Sequence, residues 1–330
     1  GDEKLKKTLA LVNNYLNKEQ YDLLMSQAAE YILQENFKDG EKKYLEAINL
    51  LPYEPSAYVE LANIYLAQSR YDDALRLLSD IINHSNDQEL FDTYNKAKEQ
   101  KTVNEEVGNV LNSLITALKK RDFNSVLTIM ETDFFIENFT DEENKVYFNT
   151  KKEAHANNEE ADKLIDGVNL IIYDRLSLFY GDVQSGKLSG SGIYLKLREG
   201  GRSEGYSFYD GEWSRNQPNG AGKYIVVESY TGDDGNQHES KTKTEGNYIN
   251  ALEEGGMTKY FYLDGKELSK LFYNAKNGIP LPMPRTANSS YPEPEEGHYI
   301  IGELYVNDAP SGEYYSVSKN TVWGVTELMK

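Results

Sequence analysis

The sequence predicts an α+β fold in which antiparallel helical hairpins precede a sheet of repeated β-hairpins. Residues 1–178 hold 4 of the 25 glycines and 2 of the 9 prolines, and residues 179–330 hold the remaining 21 and 7. Glycine and proline are disfavoured inside helices and concentrate at turns, so a helical first half is followed by a turn-rich second half. A second observation supports the same division, because each half repeats itself with a different period.

Four segments of the first half have apolar residues spaced three and four positions apart, which is typical of helices with one buried face. They are Tyr21–Leu33, Phe37–Leu51, Ala57–Ala67 and Tyr71–Ile82. The joints between them are short and polar, so we expect neighbouring helices to form antiparallel hairpins. The same spacing predicts a further helix over Val103–Leu118 and another from Phe123.

A shift of 34 residues aligns the second helix pair on the first. The aligned positions are Leu24 with Tyr58, Ala28 with Ala62, Tyr31 with Tyr65 and Phe37 with Tyr71. This pattern resembles the tetratricopeptide repeat, in which small and large residues recur at fixed offsets in a helix pair. Two copies cover roughly residues 21–88, and an array of this kind needs about three repeats, so flanking helices should cap them.

The resemblance implies a concave surface formed by the first helix of each pair. The residues at those places are Met25, Ala29, Ile32, Val59, Asn63 and Leu66. Such a groove would be mostly apolar with an acidic rim, and it would suit a basic or amphipathic peptide or a partner helix. The same spacing also fits core positions packed against a third helix, and the sequence leaves both interpretations open.

The second half repeats a glycine-rich hairpin. Its units begin at Gly181, Gly211, Gly246 and Gly302, and in the first three another glycine follows nine residues later. The most complete unit contains Tyr209, Gly211, Trp213, Gly220, Gly222 and Tyr224. These residues resemble the MORN repeat, and the resemblance extends over roughly residues 168–328. It implies stacked hairpins that form one elongated, twisted sheet.

Alternation along a strand explains this motif. Tyr209, Gly211 and Trp213 should point to one face, because alternate residues of a strand share a face. A glycine leaves room for a neighbouring ring to lie over the backbone, so packing is the expected role of these aromatic residues. Exposed tyrosine and tryptophan faces also suit sugars, so binding of a glycan or cell-wall polymer by the sheet is the alternative hypothesis.

These patterns predict a helical domain over residues 1–132, an irregular connection over 133–167 and a β-repeat domain over 168–330. Phe261–Pro284, between the third and fourth units, is a candidate for another hairpin.

The composition excludes several classes of function. With 35 basic and 54 acidic residues the net charge is −19, which argues against nucleic acid or anionic lipid as the main partner. There is no cysteine, and the four histidines are too far apart for a zinc-binding pair on one helix. We therefore predict no metal and no cofactor.

Two segments imitate ligand-binding motifs. Gly181–Lys187 matches the first seven positions of a phosphate-binding GxxxxGK loop, but Leu188 stands where a hydroxyl should bind Mg²⁺. Because Gly190 and Gly192 follow at once, no helix can begin there, and a hairpin turn is the better interpretation. Asp233-Asp234-Gly235 with Glu239 hints at calcium, but it lacks the full ladder of oxygen ligands, so a solvated loop is expected.

The sequence thus predicts a non-enzymatic scaffold for protein–protein interaction, with glycan binding second and an unrecognised hydrolase third. No apolar run is long enough to span a membrane. A cysteine-free, tyrosine-rich acidic chain fits an exported bacterial protein and also a cytosolic one, and we predict the former.

Overall fold

The computed structural model describes residues 2–139, 145–149, 164–198, 204–284 and 292–325. The α+β prediction is confirmed, because helices come first and one antiparallel sheet follows. The helices are α1 (Asp2–Leu33), α2 (Phe37–Leu50), α3 (Pro55–Ala67), α4 (Tyr71–Ile82), α5 (Gln88–Lys120), α6 (Phe123–Met130) and α7 (Asp133–Phe139). In the described part of the chain, none of them is long and apolar enough to cross a membrane.

The chain forms two compact units, Gly1–Glu106 and Val107–Lys330. The first unit contains α1–α4 and the beginning of α5. The four predicted helices are present, but α1 begins at Asp2, well before the predicted Tyr21. Residues 2–20 contain neither glycine nor proline, so nothing in them interrupts the helix.

The core of the first unit explains the 34-residue repeat. Ala28 and Ala62 are both completely buried, as small residues are where helix backbones approach closely. Between the two pairs, the hydroxyl of Tyr21 accepts a hydrogen bond from the amide of Ala57 at 3.0 Å. The buried Tyr21 side chain is thus part of this core and also holds a backbone donor at the start of α3.

The second unit contains the rest of α5, followed by α6 and α7. Asp122 caps α6 by accepting a hydrogen bond from the amide of Ser125 at 3.2 Å. The division between the units lies inside α5, whereas the sequence patterns predicted a helical domain that ends at residue 132. Apolar spacing identifies the helices, but it does not show that α6 and α7 pack on the sheet and belong to its unit. The predicted connection 133–167 lies largely outside the described residues, and its described parts include α7 and a strand.

Within the described residues, twelve strands form a single antiparallel sheet. They are β1 (Lys145–Asn149), β2 (Gly167–Asp174), β3 (Ser177–Gln184), β4 (Lys187–Leu197), β5 (Tyr206–Ser214), β6 (Gln217–Thr231), β7 (Gln237–Ile249), β8 (Leu252–Leu263), β9 (Lys266–Lys276), β10 (Ile279–Pro280), β11 (His298–Val306) and β12 (Ala309–Ser318). From β1 to β9, strands that are consecutive in the chain are also adjacent in the sheet. Beyond β9 the sheet continues with β11 and β12, and the short β10 pairs with β9. The hairpin suspected in Phe261–Pro284 is present as β9 and its flanking turns.

The sheet has two apolar faces. On one, here called the helix face, side chains of β2–β6 such as Leu195 and Phe208 pack against α5, α6 and α7. On the other, the second face, Phe179, Tyr209 and Trp213 belong to a separate core made largely by the sheet itself. Adjacent residues of one strand, such as Phe208 and Tyr209, therefore enter different cores, as the period of two requires.

Two-residue turns of one kind join many of the strands. In six of them both central residues have positive φ, which is the type I′ geometry that matches the twist of paired strands. They are Ser185-Gly186, Arg215-Asn216, Asn250-Ala251, Asp264-Gly265, Asn277-Gly278 and Asn307-Asp308. The same tight connection therefore recurs along the sheet.

Candidate functional site

The structure does not bring the six groove residues together on one exposed surface. Val59 is 3 % exposed and Leu66 is 7 % exposed, and both belong to the core of the first unit. The remaining members differ in exposure: Met25 and Ile32 are half-buried, and Ala29 and Asn63 are exposed. Of the two interpretations that the sequence leaves open, Val59 and Leu66 fit the one in which they are core positions, because α3 packs between neighbouring helices and is buried on more than one side.

A different surface of the first unit exposes large apolar residues. Five of them lie on one side of α1 and are each 48–72 % exposed, and we call them the α1 seam: Leu5, Leu9, Val12, Leu16 and Leu23. Their spacings are four, three, four and seven, which is the spacing of a coiled-coil contact. At 3.6 residues per turn the seam points away from the buried Tyr21 and Ala28. The sequence contains this pattern, but only the structure shows that nothing in the described chain covers it.

In the sheet, the glycines of the repeat meet in one row. Direct cross-strand pairs join them through five consecutive strands, β3 to β7. The row is Gly181, Gly192, Gly211, Gly222 and Gly246. Rows of this kind leave a channel without side chains across the second face.

Rings fill that channel. A Cβ built on Gly192 or Gly222 would lie less than 3.0 Å from the ring of Phe179 or Tyr209, respectively. Trp213 lies against the same row and donates a hydrogen bond from Nε1 to the carbonyl of Gly192 at 3.0 Å. Tyr209 and Trp213 are buried, so the packing role predicted for them agrees with their position.

The nine-residue spacing has a structural reason. In three units a carboxylate after the leading glycine accepts a hydrogen bond from the amide nine residues further on: Asp182 from Ser191, Glu212 from Ala221 and Glu303 from Gly312. In the first two units the residue before the donor is a glycine with positive φ, 65° at Gly190 and 120° at Gly220. The strand bulges there, and the carboxylate satisfies an amide that the ladder leaves free.

Both imitations of ligand motifs are turns. Ser185 and Gly186 form the tight turn between β3 and β4, so the GxxxxGK segment is a hairpin and does not precede a helix. In the Asp233–Gly235 segment, Asp234 accepts hydrogen bonds from Asn236 and contacts His238 at 3.2 Å. No group of three or more acidic, histidine or cysteine side chains suited to a metal occurs among the described residues.

His238 lies between two carboxylates of neighbouring turns. Its Nδ1 is 2.9 Å from Asp264 Oδ2, and its Nε2 is 3.2 Å from Asp234. The hydrogen bond to Asp264, and then the one to Asp234, raises the pKa of His238. Because only the protonated ring can donate from both nitrogens, the charged form joins the β6–β7 turn to the β8–β9 turn.

Sequence patterns did not single out the buried carboxylate that the second face contains. Glu253 is 3 % exposed and accepts a hydrogen bond from the Tyr273 hydroxyl at 2.6 Å. Burial raises the pKa of Glu253, and the hydrogen bond from Tyr273 partly offsets this increase. Burial also lowers the pKa of Lys259, further along β8. Glu253 and Lys259 belong to β8 and Tyr273 belongs to β9, and residues on different strands carry no common sequence signal.

On the helix face, the strands beyond β6 carry lysines that lie over tyrosines. Lys243 Nζ is 3.8 Å from the ring centre of Tyr260, and Lys241 Nζ is 5.1 Å from that of Tyr262. Phe272, on the next strand, is 48 % exposed. Lysine covers the two tyrosine faces, so they do not form an open aromatic platform.

Comparison with known proteins identifies one repeat. The MORN repeat family matches residues 209–225, which comprise part of β5, the turn and the first part of β6. No curated protein matches the chain. The match covers the unit that carries Tyr209, Trp213 and the central glycines of the row, and a MORN repeat suggests a binding or scaffold role.

Proposed function

We propose that this protein is a non-enzymatic interaction scaffold and that its helical unit contacts a partner through the α1 seam. The observation that carries the proposal is the exposure of five large apolar residues on one side of a continuous helix. Contiguous exposed apolar surface commonly marks a site of protein contact. The 4–3–4 spacing matches the knobs of a second helix, so the partner supplies an amphipathic helix.

We also propose that α1–α4 form two tetratricopeptide-type pairs. The 34-residue offset and the matched burial of Ala28 and Ala62 support this assignment. The proposal moves the contact surface from the concave positions to α1, because Val59 and Leu66 are needed for the core. The partner retains the amphipathic character that the sequence predicts, and export in a bacterium stays a prediction.

Neither catalysis nor glycan binding is part of the proposal. The Glu253 carboxylate is buried and held by Tyr273, and the GxxxxGK segment is a turn. Tyr209 and Trp213 have no exposed face on which a sugar could stack. These observations favour a structural role for the aromatic residues of the repeat.

The experiment uses a synthetic amphipathic helix with leucines at 3–4 spacing as the probe. The test variant Leu9→Glu/Val12→Glu places two charges in the seam. Each lost apolar contact contributes about 1.5 kcal/mol or more, so affinity should fall by about 100-fold. The control Ala10→Glu/Asn14→Glu adds the same charge to exposed positions on another side of α1 and should bind as the unmodified chain does. Fluorescence anisotropy measures the affinities.

Thermal unfolding of both variants should match that of the unmodified chain, because the altered residues are exposed. Equal binding by the seam variant and the control would refute the proposal, as would failure of the unmodified chain to bind at millimolar peptide. Analytical sedimentation tests the alternative that a second copy of this chain occupies the seam. If the chain alone dimerises and the seam variant does not, a second copy fills the seam and the proposed partner helix is wrong.

A further inference from the structure

A short segment after β12 crosses the second face of the sheet, and we call residues 321–325 the strap. Its backbone pairs with two hairpin turns. The amide of Trp323 donates to the carbonyl of Gly278 at 2.7 Å, and the amide of Val325 donates to the carbonyl of Ala251 at 2.7 Å. Gly324 forms a bridge with Leu252. The strap is therefore bound as an extended peptide, by main-chain hydrogen bonds.

Side chains on both sides of Gly324 anchor the strap. The ring of Trp323 meets Tyr273 edge to face at 5.2 Å, and Lys259 Nζ lies 4.2 Å from the Trp323 ring centre. Val325 is completely buried. Tyr273 also donates to the buried Glu253 carboxylate, so this hydrogen bond lies next to the contact with Trp323.

The fit of the backbone demands glycine in the middle of the strap. A Cβ on Gly324 would lie less than 3.0 Å from the carbonyl oxygen of Ala251. On the sheet side, a Cβ on Gly278 would also lie less than 3.0 Å from the carbonyl oxygen of Trp323. The obstructing atoms are backbone, which cannot move aside as a flexible side chain can. The contact thus selects tryptophan, glycine and an aliphatic residue in that order.

We propose that the strap is an intramolecular ligand and that the surface beneath it accepts an extended Trp-Gly-aliphatic peptide from a partner protein. The strap is tethered to β12 by the turn at Lys319 and Asn320, so it competes with such a peptide at a high local concentration. The partner segment gains access when the strap lifts. This surface lies in the second unit and is independent of the α1 seam, so it adds a binding site to the proposed scaffold.

The probe is a fluorescently labelled synthetic peptide with the sequence of residues 319–325. The full chain carrying Trp323→Ala/Val325→Ala, in which the strap loses both anchors, should bind it saturably. The unmodified chain should bind it at least about tenfold more weakly, because its own strap occupies the site. Matched peptides with alanine at the tryptophan or at the glycine position should not bind either chain.

Three results would overturn the proposal. They are equal affinity for both chains, equal binding of the peptide with alanine in place of glycine, and no binding by the folded variant at millimolar peptide. If the variant fails to fold, amide hydrogen exchange of the unmodified chain tests whether the strap opens. The amides of Trp323 and Val325 should then exchange faster than those of β8 and β9, as local opening requires. Exchange only at the rate of global unfolding would show that the strap is a fixed part of the core.

Discussion

Replacing Gly222 by alanine should destabilise the sheet unit. A Cβ at this position would lie less than 3.0 Å from the ring atoms of Tyr209. That ring is completely buried and meets Trp213 at 5.5 Å and Tyr248 at 5.3 Å, both edge to face. The ring cannot shift without losing these contacts, so the added methyl group must displace it.

The magnitude follows from what the ring would lose. Removing a large buried side chain from its site costs about 1.5–3 kcal/mol, and each aromatic pair adds about 0.5–1.5 kcal/mol. Alanine recovers about 0.5–1 kcal/mol relative to glycine in a strand. We therefore expect the free energy of unfolding to fall by about 2–5 kcal/mol.

Urea unfolding followed by tryptophan fluorescence measures this loss. The chain has two tryptophans, Trp213 and Trp323, and both lie in the second unit, so the signal reports the sheet. Gly256→Ala is the matched control in β8. The nearest atom to a Cβ there is 3.8 Å away, so stability should stay the same or rise by up to about 1 kcal/mol.

A double-mutant cycle with Tyr209→Ala identifies the cause. If the clash with the ring is responsible, Gly222→Ala should add almost nothing once the ring is gone. Additive losses would refute the reasoning, and so would an equal loss in the Gly256→Ala control, because both would place the effect outside the contact with Tyr209.

Three further predictions concern charged groups. NMR titration should give His238 a pKa above its ordinary value of 6.5, and Asp264→Asn should lower that pKa. Because the pKa of His238 is raised in the folded state, its contacts with Asp264 and Asp234 stabilise the fold fully below pH 6.5, and this stabilisation is lost as the pH rises through the folded-state pKa. In urea unfolding, Glu253→Gln should stabilise the chain at neutral pH and have little effect near pH 4. Because burial raises the pKa of Glu253, the ionised carboxylate destabilises the fold once the pH exceeds the ordinary pKa of 4.5. Calorimetry should detect no saturable, Mg²⁺-dependent binding of ATP to the unmodified chain, and Lys187→Ala should leave this result unchanged. The reason is that Lys187 begins a strand directly after a two-residue turn.

Much of the architecture could be predicted from local pattern. The helices Phe37–Leu51 and Tyr71–Ile82 were predicted within one residue, because apolar spacing and polar joints both mark their ends. The hairpin motif around Gly211 could also be recognised from the sequence, because alternation along a strand places Tyr209 and Trp213 on one face. The early start of α1 was missed, because residues 2–20 form a helix without a buried face.

The candidate sites were less predictable. Val59 and Leu66 have the spacing of a helical face, but spacing cannot say whether that face meets solvent or another helix. In the same way, the leucines of the α1 seam look like core residues until the structure shows them exposed. A pattern along one element is a local property, whereas exposure depends on every other element.

By itself the sequence determined the α+β order, the 34-residue helix repeat and the phase of glycines and aromatics, because each depends on periods within single helices and strands. The tertiary structure decided the domain boundary inside α5, the burial of Glu253 beside Tyr273 and the docking of Trp323 on the second face. Such contacts join distant residues: the strap hydrogen bond from Val325 to Ala251 spans 325 − 251 = 74 positions. Local periodicity fixes which side chains share a face, but only the packing of distant segments determines what covers that face.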